Sequence, residues 1–179
     1  MSKTQVQKWA QQMLQLPNFY VIDTETTGVG KNDEIIQIGI LDKNGMTIMN
    51  TLVKATVPVS RGAARVNGIT DAMLHDAPTF ADVYVELSTK LAGVPLVAYN
   101  MNFDWRMLVQ SATRFNLPPM RTGKRHCAMQ KYALYRGGIR WQKLTNACTY
   151  HRIKVENAHD ALGDSRMTLA LIQTMSAGK

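Results

Sequence analysis

Residues 19–28 read Phe19-Tyr20-Val21-Ile22-Asp23-Thr24-Glu25-Thr26-Thr27-Gly28. The first four are aromatic or β-branched, the composition of a buried strand. They lead directly into two carboxylates spaced two apart. In extended backbone, residues i and i+2 point to the same side, so Asp23 and Glu25 share a face at the end of this strand. Two hard oxygen donors side by side can hold a divalent cation. A solvated turn after a strand accounts for the same spacing, and the pair alone does not separate the two.

Working outward, residues 34–41 form a second strand with Ile36, Ile38 and Ile40 on one face. Asn44-Gly45 is a tight-turn signal, and residues 46–54 make a third strand, which completes an antiparallel meander. Residues 55–71 are rich in small side chains and read as a loop. Pro78 sits in the first turn of a helix that runs to about Leu91 and is ended by Gly93. Residues 96–99 are a fourth strand. Asn102 caps a helix over 103–115, stopped by Pro118-Pro119. A fifth strand lies near 125–129. Helices follow near 129–136 and 141–150, separated by Gly137-Gly138, and the last helix spans about 160–175. At the other end, Val6, Trp9, Met13 and Leu16 recur at helical spacing, so a helix lies within residues 1–16. No linker, repeat or low-complexity segment interrupts the chain, so residues 1–179 read as a single domain. The expected architecture is α/β: a mixed five-stranded sheet, three antiparallel strands and then parallel additions, flanked by helices on both sides.

At 45% hydrophobic and 19% charged, the 179 residues fit a folded chain and neither a disordered nor a membrane-spanning one. Two cysteines are too few for a disulfide scaffold or a structural zinc site. Residues 1–16 lack the apolar core of a secretion signal, so the expected location is cytoplasmic. The formal net charge is +8, from 21 Lys+Arg and 13 Asp+Glu. That charge is unevenly spread. Between Asp104 and Glu156 there are 11 basic residues and no acidic one, against 10 basic and 13 acidic residues elsewhere. A basic block beside acidic segments suits a protein that holds phosphates near carboxylates. Solvated helix faces give the same layout.

Two further segments carry carboxylates. In Asn100-Met101-Asn102-Phe103-Asp104, the acid falls in the first turn of a helix after a buried strand, where the macrodipole alone would stabilise it. In His159-Asp160-Ala161-Leu162-Gly163-Asp164, His159 and Asp164 are five apart, ~140° around a helix. They reach one site only if His159 lies just before the helix. The alternative is a capping Asp160 with a solvated Asp164 and a polar loop histidine.

Taken in order, the three segments resemble the DnaQ-like, DEDDh-type 3′→5′ exonucleases, which have an RNase H-like fold. The family's Asp-x-Glu within DxETTG is matched by Asp23 and Glu25. Its Asp after Asn-x-x-Phe is matched by Asn100, Phe103 and Asp104, and its His-x-x-x-x-Asp by His159 and Asp164. The Tyr-type subclass would carry Tyr where this chain has Asp160. The resemblance covers residues 19–175. It departs from the family pattern at Asn67, where the segment after the third strand often has His, and at 126–129, where an Asp-Thr pair is common.

The resemblance implies a hydrolase that cuts phosphodiester bonds at 3′ ends of DNA or RNA and releases nucleoside monophosphates. Asp23, Glu25, Asp104 and Asp164 would hold two divalent cations, Mg²⁺ or Mn²⁺. His159 would accept a proton from the attacking water, since imidazole is the side chain whose ordinary pKa lies nearest neutrality. Thr26, Thr27 and Gly28 would contact the terminal sugar and its 3′-OH, with Gly28 free to take an unusual backbone angle. Asn100 and Phe103 would shape the nucleotide pocket. The alternative reading is a trans-acting proofreading or nucleic-acid-binding subunit of a polymerase or repair complex in which nuclease activity is secondary; the chain has no room for a polymerase domain, so proofreading would act in trans. Some family members dimerise, which leaves a homodimer open. Trp105 and Trp141 are expected in the core or in helix packing. His75, His126 and His151 are expected to be structural or on the surface, and Cys127 and Cys148 to be reduced core residues.

Overall fold

The computed structural model describes residues 2–155 and 158–178. Met1 and Lys179, the ends of the expected domain, and Glu156, which closes the acid-free stretch, lie outside the described residues. In chain order the elements are α1 (Lys3–Gln15), β1 (Tyr20–Thr26), β2 (Ile35–Asp42), β3 (Thr47–Leu52), α2 (Arg61–Asn67), α3 (Asp71–Leu74) and α4 (Phe80–Leu91). They continue with β4 (Leu96–Ala98), α5 (Met101–Arg114), β5 (Arg125–Cys127), α6 (Ala128–Tyr135), α7 (Leu144–Tyr150) and α8 (Ala161–Ser176). The sheet order is β3-β2-β1-β4-β5. β1, β2 and β3 pair antiparallel, whereas β4 joins β1, and β5 joins β4, in parallel. This is the mixed sheet expected. Among the described residues no helix is long and apolar enough to cross a membrane.

The period-two alternation of β1 and β4 divides the core. Val21 and Val97 lie in one apolar cluster with Trp9, Tyr132, Leu171 and Ile172, beneath α1, α6 and α8. Ile22, Leu96 and Ala98 point the other way, into a cluster with Ile38, Ile40, Leu87 and Leu108 beneath α4 and α5. A sheet buried on both faces needs apolar residues at both phases, and the nearly continuous apolar β2 supplies them.

Four boundaries depart from expectation. The loop over 55–71 contains α2 and α3. α2 buries no residue, so no apolar periodicity announces it. Asn100 rather than Asn102 takes the N-cap position of α5, without a side-chain capping bond, and Asp104 stays in the first turn. α4 begins after the capping box of Thr79 and Asp82, with Pro78 before it. α7 begins at Leu144, not 141, so Trp141 stays outside the helix.

One contact sets where α8 lies. Gly39, in the middle of β2, is so close to the first turn of α8 that a Cβ there would sit 2.4 Å from the Ala161 carbonyl carbon and 2.4 Å from the Leu162 nitrogen. The Ser165 hydroxyl donates to the Gly39 carbonyl at 3.1 Å. Both obstructing atoms are backbone, so no rotamer change relieves the clash. Gly39→Ala is therefore expected to cost at least ~2 kcal/mol and to lower the melting temperature by roughly 5 °C or more. Thermal unfolding followed by circular dichroism checks this, and an unchanged midpoint would contradict the close approach.

Candidate active site

Asp23 lies opposite Gly39 in the β1–β2 ladder, and Glu25 lies opposite Gln37. Beyond Glu25 the register shifts, a bulge that ends regular pairing at the site. Gln37 fastens α8 to this place. Its Nε2 donates to Asp160 Oδ1 at 2.7 Å, and its Oε1 accepts from the Ala161 N–H at 3.1 Å. Asp160 caps the helix by accepting from the Gly163 N–H at 3.0 Å. Asp164, one turn in, then comes to the two β1 carboxylates. Oxygens of Asp23, Glu25 and Asp164 lie within 4.8 Å of one another, the one such grouping of three potential metal ligands among the described residues.

Asp104 approaches from α5 and is buried. Its Oδ1 accepts from both the Thr24 N–H, at 3.0 Å, and the Thr24 hydroxyl, at 2.9 Å. The residue between the two β1 carboxylates thus orients a third from the opposite side of the strand.

The electrostatics are those of anions confined together. Burial pushes the Asp23 carboxyl well above its ordinary value, and the charges of Asp104, Asp164 and Glu25 add to the shift. Glu25 is raised to about 8, first by burial and then by Asp164, with a hydrogen bond from the Asn67 side chain opposing. Asp104 is raised to about 7 by burial, against the Thr24 hydrogen bonds. Burial also raises Asp164, and the His159 backbone N–H opposes that rise. An all-oxygen donor set that resists holding its own negative charge fits a hard divalent cation.

His159 stands in the turn before α8 at φ +67°, the left-handed region, where a non-glycine residue is strained. Its N–H donates to Asp164 Oδ1 at 3.1 Å, and its side chain is exposed. Two cavities open on the carboxylates. One, of about 390 Å³, is lined by Glu25, Thr26, Gly28, Asn67 and Phe103. The other, of about 600 Å³, is lined by Asn100, Trp141, Lys143, His159 and Asp164. Val66 of α2 lines both and forms the wall between them.

Nine of the ten expected site residues therefore line the cavities or belong to the carboxylate cluster. Thr27 does not line either cavity. It is fully buried, with its hydroxyl donating to Asp33 Oδ1 at 2.9 Å and accepting from the Glu34 N–H at 3.0 Å. It holds the underside of the loop. Gly28 is needed for a different reason than backbone freedom, because its φ is not positive. A Cβ there would lie 2.6 Å from both Asp33 carboxylate oxygens. Trp141 is not in the core but 64% exposed at the rim of the second cavity. Trp105 is partly buried against the α4–α5 cluster, with the Arg125 guanidinium 3.9 Å over its ring. His126 accepts from the Trp9 indole at 3.3 Å, His75 contacts Asp76, and His151 packs against Tyr132 and Tyr150. Both cysteines are buried and free.

Three contributors escape a motif reading. Asn67 sustains Glu25 and also reaches the Thr26 carbonyl at 3.4 Å. Its only signal in the sequence is the departure at this position from the pattern of the family that the chain resembles. Thr24 has no signal beyond its place in the motif. Gln37 had one: a polar residue in an isoleucine-rich strand is informative precisely because burial needs a partner.

A family model described as exonuclease matches residues 20–172. Uncharacterized exonuclease CP81 of Escherichia phage 186 is 38% identical over 169 residues, covering 88% of this chain and 87% of the relative. DNA polymerase III subunit epsilon of Treponema pallidum is 30% identical over 168 residues, covering 89% of this chain and 76% of the relative. Among solved structures, Exonuclease X in complex with 5′ overhanging duplex DNA superposes with a TM-score of 0.71 at 27% identity, covering 89% of this chain and 91% of the other.

The raised carboxyls make stability depend on pH and on cations. Glu25 binds a proton more tightly folded, up to about 8, than at its ordinary 4.5. Its penalty is therefore absent below the unfolded pKa and grows as pH rises through the folded one. In the presence of a chelator, wild type should lose melting temperature relative to Asp164→Asn between pH 5 and pH 8. Millimolar divalent cation at pH 8 should raise the wild-type midpoint by on the order of 5 °C and leave Asp164→Asn nearly unmoved. Parallel pH and cation behaviour in the two proteins would contradict the clustering.

Proposed function

This chain belongs to the exonuclease family, and we propose that it removes nucleoside monophosphates one at a time from 3′ ends of DNA or RNA. The observation that carries the reading is the convergence of Asp23, Glu25 and Asp164 within 4.8 Å, with the exposed His159 at the mouth of the adjoining cavity. In this reading Asp23, Glu25, Asp104 and Asp164 hold two divalent cations, Mg²⁺ or Mn²⁺. When bound, these would neutralise charge on the scissile phosphate and lower the pKa of water.

The chain's own groups do the remainder. The cavity of Thr26, Gly28, Asn67 and Phe103 seats the terminal nucleotide and fixes its orientation. Thr27 positions that loop from below. Asn100 lines the second cavity, on the far side of the Val66 wall. His159 takes a proton from the water that attacks phosphorus, and the bond from phosphorus to the preceding nucleotide's 3′-oxygen breaks. That oxygen picks up a proton and remains as the new 3′-OH, while the released nucleotide keeps the phosphate. The bond from the His159 N–H to Asp164 Oδ1 ties the base to the anionic cluster, so the imidazole's reach is set by the turn before α8.

Residues 1–179 would work as one domain, in the cytoplasm. A polymerase or repair partner is a second reading, favoured by the likeness to the Treponema pallidum epsilon subunit over 89% of this chain.

A 5′-labelled oligonucleotide with Mg²⁺ or Mn²⁺ should give a ladder of 3′-shortened products. Asp23→Ala should abolish it while the fold is retained. His159→Ala should lower kcat by about 10²–10⁴-fold while the cation-induced rise in melting temperature persists. Intact substrate at high concentrations of wild type would overturn the reading. Matched DNA and RNA oligonucleotides in parallel give the sugar preference.

A further inference from the structure

Trp141 is the one tryptophan of this chain held out to solvent. Trp9 is 8% exposed and Trp105 is partly buried under Arg125, whereas Trp141 is 64% exposed. Neither another ring nor a cation stacks on it among the described residues. Yet it is not a loosely placed surface side chain. The Tyr99 hydroxyl donates to the Gln142 carbonyl at 2.6 Å, which pins the chain at the very next residue, and Leu144 is buried just beyond. The indole is thus an apolar plate on an anchored support. It stands at the rim of the same cavity as His159 and Asp164.

Its neighbours are polyanion-binding in character. Arg140 and Lys143 flank it, both exposed, and neither makes a salt bridge among the described residues. A strand that lays a base on the indole can bring its phosphates to these two cations. Direction follows from the two cavities. With the terminal nucleotide beside Thr26, Gly28 and Phe103 on one side of the Val66 wall, the nucleotide 5′ to it must leave across the carboxylates, on the Trp141 side.

We propose that Trp141 is a substrate-selecting residue that stacks on the base of the penultimate nucleotide, so that the preferred substrate is a 3′ end whose last two nucleotides are unpaired. This rests on the exonuclease reading above. An indole face occupied by that base replaces the stacking lost when the end is single-stranded, and a paired penultimate base is not free to turn onto it.

The test is a cycle between enzyme and substrate. First-cleavage kcat/KM is measured for a single-stranded oligonucleotide and for the same one with an abasic penultimate site, using wild type, Trp141→Ala and Trp141→Phe. Base–aromatic stacking predicts that wild type loses about 5- to 150-fold on the abasic substrate. Trp141→Ala loses the same factor on the normal substrate and nothing further on the abasic one, and Trp141→Phe falls between. A wild type indifferent to the missing base, or a Trp141→Ala as sensitive to it as wild type, overturns the proposal while leaving the exonuclease reading intact. If wild type cuts neither substrate, that reading fails instead. Stacking is then read without turnover, as quenching of tryptophan fluorescence by the normal oligonucleotide that is absent in Trp141→Phe. No quenching in wild type overturns the stacking.

Discussion

Everything in the site depends on how closely α8 approaches β2 at Gly39. Asp164 comes from a helix near the end of the chain, Asp23 and Glu25 from its first strand, and their charges oppose the meeting. The missing side chain at position 39 lets the first turn of α8 settle on the sheet backbone. Gln37 and Ser165 then add hydrogen bonds on either side of that contact. Apolar packing behind the contact, through Leu171, Ile172 and Met175, offsets the repulsion in front of it. The protein gathers its acids on a backbone-to-backbone contact and not on side-chain rotamers. Such a seat fixes the backbone from which Asp164 approaches Asp23 and Glu25.

The parts of this arrangement written in periodicity or in local spacing were readable from the chain. The meander, the fourth strand and the three acidic segments follow from alternation, turn residues and fixed intervals. What escaped was the part whose cause lies elsewhere in the fold. α2 buries nothing, so its seven residues carry no apolar stripe to reveal a helix. Thr27 looks like a nucleotide contact in a motif, but in the structure it is buried and its hydroxyl answers to Asp33. Gly28 does line the first cavity, and what requires glycine there is the lack of space beside the same carboxylate. Trp141 is expected from the sequence in the core or in helix packing. It is exposed because α7 starts three residues later than its apolar pattern suggests.

The uneven charge of the chain also resolves into separate uses. Arg106 and Arg114, both in the acid-free stretch, donate to the carbonyls of Val29 and Asn32, which holds the loop after β1 against α5. Arg114 also pairs with the buried Glu34 at 3.1 Å, and Glu34 in turn accepts from Thr56. Arg125 covers Trp105, and Arg136 lies 3.5 Å over the Tyr150 ring. Four of the eleven basic residues of that stretch are thus engaged with the protein itself, and two of them, Arg106 and Arg114, hold the loop after β1. Arg140 and Lys143 are among the part left facing outward.

The wall between the two cavities has a different foundation from their floor. The floor is strand and buried helix. The wall is α2, a helix with no buried residue, attached through its ends: Ser60 caps it and donates its N–H to the Thr27 carbonyl, and Asn67 reaches back to the Thr26 carbonyl. Residues 61–66 between those anchors can be replaced at little thermodynamic cost, since surface substitutions seldom change stability by more than about 0.5 kcal/mol. The fold thereby separates what must be inherited from what may vary. A lineage of such proteins can diversify in the shape of the partition without disturbing the acids beneath it, and sequence drift in this short helix would then track changes of substrate and not loss of function.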